Sequence, residues 1–238
     1  TATGQVHGHR ADERFMMLSS FKLLASALVL ARVDRGQESL DRRITFAKTD
    51  LVTYSPVTER FAGTTEGMSL AGLCEATITT SDNSAANFIL DSYGGPAALT
   101  RFARELGDDT TRLDRRETEL NTGTAAALLD TTTPRAMALT MQKLLLGSAL
   151  SVASRERLQQ WLVANTTGDK RLRAGLPSGW RVGDKTGTAS DSGTANDIGV
   201  LWPPGGVAPV LVTCYLTRSS ATPEQRDAAI AQVARAVA

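Results

Sequence analysis

Three short patterns in this 238-residue sequence bring together side chains able to do covalent chemistry. Ser19-Ser20-Phe21-Lys22 sets a hydroxyl and an ammonium three residues apart at the start of an apolar run. On a helix that spacing turns both to one face. A helix N-terminus favours developing negative charge and offers free N–H groups. A lysine with a depressed pKa can take a hydroxyl proton and make the serine a nucleophile. Taken alone, a capping serine beside a solvated lysine is the plainer reading.

Ser81-Asp82-Asn83 offers a second hydroxyl and an amide between two helical stretches. Such a serine can relay a proton to a leaving group, and an asparagine can bond a substrate carbonyl. Taken alone, a turn made from turn-favouring residues is the better reading. Lys185-Thr186-Gly187-Thr188 ends a strand-like segment. Its ammonium and hydroxyls could hold a carboxylate, and Gly187 would let a ligand approach the backbone.

These residues need elements to hold them. Leu23, Leu24, Ala27, Leu28, Leu30 and Ala31 give a helix after Ser19-Ser20 that ends at Arg35-Gly36. Helices are also expected from Ser69 to Ile78, on to Tyr93, over 97–106, 134–146 and 154–165, and from Thr222 with Pro223 at its first position. Gln5-Val6-His7 reads as a short strand. Segments 180–185, 196–202 and 209–216 read as an antiparallel meander. Arg112 to Thr133 lacks a sustained period, and a loop of that length in a compact domain is usually functional. The expected class is α+β: an antiparallel sheet built from both chain ends, packed against a mostly helical middle. The expected division is a helical part at 19–165 and a sheet part made of 1–18 plus 166–238.

Composition excludes several functions. Lys and Arg number 26 against 25 Asp and Glu, so no basic field exists to steer nucleic acid or anionic lipid. The longest nearly apolar run, Leu23 to Ala31, is too short to span a bilayer. Two histidines, Cys74 and Cys214 are too few and too scattered for a zinc site. The opening residues carry neither a charged nor an apolar leader region.

The three patterns occur in one order, each in a fitting context. S-x-x-K, S-D-N and K-T-G together mark class A β-lactamases and penicillin-binding proteins. Along nearly its whole length the chain resembles a class A serine β-lactamase, including the stretches 9–15, Tyr54-Ser55-Pro56-Val57, 130–134 and Asn165-Thr166-Thr167-Gly168. Arg112 to Asn121 is similar to the family's omega loop. The resemblance implies that Ser19 forms an acyl-enzyme, with Lys22 or Glu117 as its activating base. It implies an oxyanion hole of the Ser19 and Thr188 N–H groups, proton transfer through Ser81, and a deacylating water held by Glu117 and Asn121. Lys185, Thr186, Gly187 and Thr188 would bind the substrate carboxylate, Asn83 its side-chain amide, and Tyr54 would flank the mouth. Arg115 and Asp130 would clamp the loop. It further implies a monomer with a small-molecule β-lactam substrate, no cofactor or metal, no membrane or nucleic-acid partner, and a periplasmic or secreted location.

The chain also departs from the family's pattern. The family's N-terminal helix and first strand are not seen ahead of Thr1. Thr118 follows Glu117 where relatives mostly have proline after a cis bond, so the loop keeps that bond or takes another shape. Gly123 to Leu129 replaces a Pro- and Asp-bearing stretch, which would loosen the loop or bury Leu128 and Leu129 differently. Ala195 stands where many members place an arginine for the substrate carboxylate, and Arg171 and Arg226 are the candidates to replace it. Ser26 occupies the position that pairs with Cys74 in disulfide-bearing members, so no disulfide is expected. The competing functions are a penicillin-binding carboxypeptidase and a β-lactam-binding protein that does not turn over. Glu117 with Asn121 speaks against the first.

Overall fold

The apolar run behind Ser19 forms α1 (Phe21–Asp34), buried continuously from Phe21 to Ala31. A helix apolar on every side belongs inside a core. The structure, a computed structural model, describes residues 1–123 and 127–238. Around α1 pack α2 (Leu70–Thr79), α3 (Asn83–Ser92), α4 (Pro96–Glu105) and α6 (Val152–Val163), while α5 (Pro134–Leu145) joins α6 to the sheet. Ser69, Asp82, Thr133 and Ser151 start α2, α3, α5 and α6, each accepting a backbone N–H of the first turn. Such caps satisfy donors that a helix start leaves free.

Two short antiparallel ladders tie loops to this body. β1 (Phe15–Met16) pairs with β4 (Thr131–Thr132), and β2 (Arg43–Ile44) with β3 (Met68–Ser69). The main sheet is the expected meander: β5 (Arg181–Ala189), β6 (Thr194–Trp202) and β7 (Val210–Leu216), antiparallel and in that order. Ile198 and Val200 of β6 join the helical core, while Ala195 and Leu201 face a second core with Leu172 and Ile230. That second core is closed by α7 (Leu172–Gly175) and α8 (Pro223–Arg235). No helix among the described residues is long and apolar enough to cross a membrane.

The α+β class and its antiparallel sheets hold. One expected element is missing: Gln5–His7 forms no strand, and the main sheet draws on residues 181–216 alone. The first ten residues are exposed, with Val6 at 69%, so a strand there would bury no apolar face. The chain start meets the sheet by hydrogen bonds of Thr1 to Pro209 O and of Asn196 to Met16 O and Met17 O.

Candidate active site

Ser19 lies in a 3-10 turn, Leu18–Ser20, that leads directly into α1. Leu18 before it takes φ 48°, a left-handed conformation uncommon outside glycine. Lys22, one turn further on, is fully buried. Ser81, with φ 60°, sits between α2 and α3. Asp82 fixes that corner. Its carboxylate caps Ala85 N and accepts the Val57 and Thr58 N–H groups, which ties the loop after Tyr54 to α3.

The charged groups meet around one carboxylate. Glu117 Oε1 accepts from Ser19 Oγ at 3.3 Å and lies 3.0 Å from Lys22 Nζ. Glu117 Oε2 accepts from Asn121 Nδ2 at 2.6 Å. Lys22 also donates to Asn83 Oδ1 (2.6 Å), Ser81 O (2.8 Å) and Ser81 Oγ (3.3 Å). Lys185 Nζ reaches the same Ser81 Oγ at 3.0 Å. Two ammonium groups therefore flank the Ser81 hydroxyl. Burial lowers the Lys22 pKa, against the raising pull of Glu117. Burial and then the charge of Lys22 bring Lys185 down to about 7.

Arg115 and Asp130 form an ion pair across the 112–130 loop. Asp130 accepts from Arg115 Nε at 2.6 Å and from the Asp114 and Arg115 N–H groups. Its carbonyl accepts from Met17 N (2.9 Å), linking the loop to the segment that carries Ser19. The Glu117–Thr118 peptide is cis. Of the 123–129 stretch, Thr124 to Ala126 lie outside the described residues, while Leu128 is exposed and Leu129 half-buried.

The K-T-G strand runs beside Ser19. A Cβ on Gly187 would lie 3.0 Å from Met17 O and 3.3 Å from Ser19 N, tighter than an ordinary contact, so glycine eases the close approach of β5. Thr188 is exposed and accepts from Arg171 Nη2 at 2.7 Å. The Thr186 hydroxyl is turned to Thr167 (2.6 Å). Tyr54, 57% exposed with φ 64°, stands at the rim, its carbonyl accepting from Asn83 N. Asn83 Nδ2 donates to Thr53 O. Arg226 is not brought to the cluster. Its guanidinium donates to Ser219 O and Ala221 O after β7. Cys74 and Cys214 are free thiols. Among the described residues no group of His, Cys, Asp and Glu is arranged to hold a metal ion.

One residue of the site was not singled out from sequence. Asn87 donates to Glu117 O (2.9 Å) and accepts from Glu117 N (3.0 Å), gripping both backbone groups of that residue. Its spacing of four from Asn83 on α3 was the available signal, since i and i+4 share a helix face.

A model of the β-lactamase enzyme family matches residues 1–238. A β-lactamase of Streptomyces fradiae is 47% identical over 241 residues, 100% of this chain and 78% of that protein. The carbapenem-hydrolyzing β-lactamase KPC of Klebsiella oxytoca is 45% identical, over 99% of this chain and 79% of that protein. An ancestral class A β-lactamase structure superposes at TM-score 0.96 with 62% identity, covering 99% of this chain and 89% of its own. The class A protein PenP from Rhodopseudomonas palustris gives 0.96 and 61%, covering 100% and 89%. The chain belongs to the β-lactamase enzyme family. Within it this is a class A serine β-lactamase, a hydrolase of β-lactams.

Proposed function

We propose that Ser19 is the nucleophile and Glu117 the base of both half-reactions. The observation that carries this is the direct Ser19 Oγ to Glu117 Oε1 hydrogen bond, with Asn121 holding the other carboxylate oxygen. Ser19 Oγ attacks the lactam carbonyl carbon as its proton passes to Glu117. The carbon–nitrogen bond breaks, and Ser81, flanked by Lys22 and Lys185, delivers its proton to the departing nitrogen. Lys22 reprotonates Ser81 while taking up the proton that Glu117 received, which leaves Glu117 ionised again. Water then attacks the ester. Glu117 takes its proton and Asn121 Oδ1, which has no donor from the described residues, accepts its other hydrogen. Glu117 returns the proton it took to Ser19 Oγ, which leaves as the hydroxyl.

The Ser19 and Thr188 N–H groups form the oxyanion hole. Loss of one such donor typically costs about 10²–10³ in rate. Lys185, Thr186 and Thr188 hold the substrate carboxylate, with Arg171 bonded to Thr188. Asn83 binds the side-chain amide and Tyr54 borders the entrance. The cleft lies between a helical part, 19–165, and a sheet part, 1–18 with 166–238. The protein works as a periplasmic or secreted monomer and needs no cofactor.

The test is a count of product per enzyme with excess chromogenic cephalosporin. Many turnovers are expected for the parent. Glu117→Gln should stop near one equivalent with Ser19 acylated. Unchanged turnover in that variant would remove Glu117 from the role. A parent that stops at one equivalent would favour a β-lactam-binding protein that does not turn over.

A further inference from the structure

Behind the cleft, two carboxyl groups share the closed space between the sheet and the α7 segment. Asp184 precedes Lys185 on β5, and Asp197 lies on β6 in register with Thr186. Both are fully buried, and because Asp184 pairs with Gly199, two residues on from Asp197, their carboxyls share one face of the sheet on neighbouring strands. Two ionised carboxylates are unfavourable in a site shut off from water, because desolvation and mutual repulsion both favour protonating one. Burial above all holds each of them above the ordinary carboxylate range.

The donors around the pair are unequal. Asp184 Oδ1 accepts from Arg173 Nε (2.7 Å) and Oδ2 from Asn165 Nδ2 (2.9 Å). Asp197 Oδ2 accepts from Leu172 N (3.1 Å). Among the described residues no N–H or hydroxyl donor reaches Asp197 Oδ1. A buried oxygen with no donor is costly, unless it bears a proton and acts as the donor itself.

We propose that Asp197 carries a proton on Oδ1 and donates it to Asp184, and that this singly charged pair positions Arg171, and through it Thr188, for the substrate carboxylate. The second half rests on the reading of Arg171 and Thr188 as substrate-binding residues. The link is three consecutive residues. Leu172 N is held by Asp197 and Arg173 by Asp184. The preceding residue, Arg171, is thereby aimed at Thr188 Oγ1 (2.7 Å), Gly187 O (3.0 Å) and Asn196 O (2.7 Å). Gly168 completes the seat, since a Cβ there would lie 1.8 Å from Asp184 Oδ2. Arg171 and Arg173 at α7, Lys185 on β5 and Cys214 on β7 face the pair, with Asp227 of α8 beyond Arg171. Burial pushes the Cys214 thiol up to about 11, so near neutral pH it adds no charge.

Isosteric amides locate the proton. In Asp197→Asn an amide N–H replaces the acid O–H, and the amide oxygen still accepts from Leu172. KM for a carboxylate-bearing chromogenic cephalosporin should stay within about threefold of the parent. In Asp184→Asn an amide nitrogen must face Arg173 or Asn165, both donors. There KM should rise by about tenfold or more, with a smaller change in kcat. Infrared spectroscopy gives a readout independent of turnover and of packing. The parent at neutral pH should show the carbonyl band of a buried protonated acid, and Asp197→Asn should lack it. Equal KM effects in the two variants, or a band that survives in Asp197→Asn, would overturn the proposal. If Asp184→Asn does not fold, the band decides. The band without any parent hydrolysis would sink the functional reading and keep the shared proton. Normal hydrolysis without the band would sink the shared proton alone.

Discussion

Lys22 Nζ and Glu117 Oε1 lie 3.0 Å apart with neither side chain open to solvent. The carboxylate is the main influence keeping a proton on a lysine whose burial disfavours it. Removing that charge lets Lys22 titrate at lower pH. Lys22 then becomes the base available to Ser19. The residual acylation of Glu117→Gln should therefore rise with pH through the lowered Lys22 pKa. Adding Lys22→Arg, a side chain that stays charged, should abolish it. Stopped-flow acylation rates across pH would check this, and acylation persisting in the double variant would exclude Lys22.

Lys185 titrates near 7 in the free protein. Its charged form exists below that pH, and the attraction for a substrate carboxylate fades above it. KM for carboxylate-bearing substrates should climb on the alkaline side of about 7, by up to about tenfold per pH unit. Lys185→Arg should flatten that limb, because a guanidinium keeps its charge. The same limb in both proteins would assign the ionisation elsewhere. The stability sign is opposite to that of an ordinary surface lysine. A folded pKa below the unfolded one makes the fold less stable below about 7, with recovery as pH rises toward the unfolded lysine's value.

Asn87 holds Glu117 by its main chain and touches no other residue of the reacting cluster by hydrogen bond. Asn87→Ala leaves two buried backbone groups unpaired and should cost about 1–3 kcal/mol of stability. The greater effect should be on deacylation, which depends on where the carboxylate points. Mass spectrometry during turnover should find acyl-enzyme accumulating. Equal losses in acylation and deacylation would mean that the bond supports the fold and not the placement of the base.

Ser26 and Cys74 are both fully buried side by side between α1 and α2, and burial pushes the thiol up to about 12. Ser26→Cys should close a disulfide with Cys74 and stabilise by about 2–4 kcal/mol. Thermal melts with and without reductant, with a thiol count, would read this. A gain that survives reduction would rule the bridge out.

Much of this was legible in one sequence because local chemistry governed it. Ser69 and Thr222 start helices by capping, whatever surrounds them. Ser19, Lys22, Ser81 and Lys185 were legible as a set, and they do converge. Register was not legible. Nothing local says that Asp197 falls across from Thr186, and so beside Asp184, because pairing of β5 with β6 decides it. Arg171 was the first candidate for the missing arginine and Arg226 the second, and only the packing of α7 and α8 sends one to Thr188 and the other to Ser219. Asp82 read as part of a turn, yet its carboxylate holds together the loop and helix that frame Ser81.

β5 is the outer strand of its sheet, and Gly187 on it lies against the Ser19 backbone. An unpaired strand margin is usually a hazard that proteins blunt or cover. Here the margin borders the reaction. A ligand whose amide runs alongside it can join the sheet as a guest strand, held by main-chain groups that every side-chain substitution leaves in place. Drug and bystander peptide would be gripped alike by that margin. Discrimination among them then falls to the side chains around it: the Thr188 hydroxyl, the Tyr54 ring and the loop that carries Glu117.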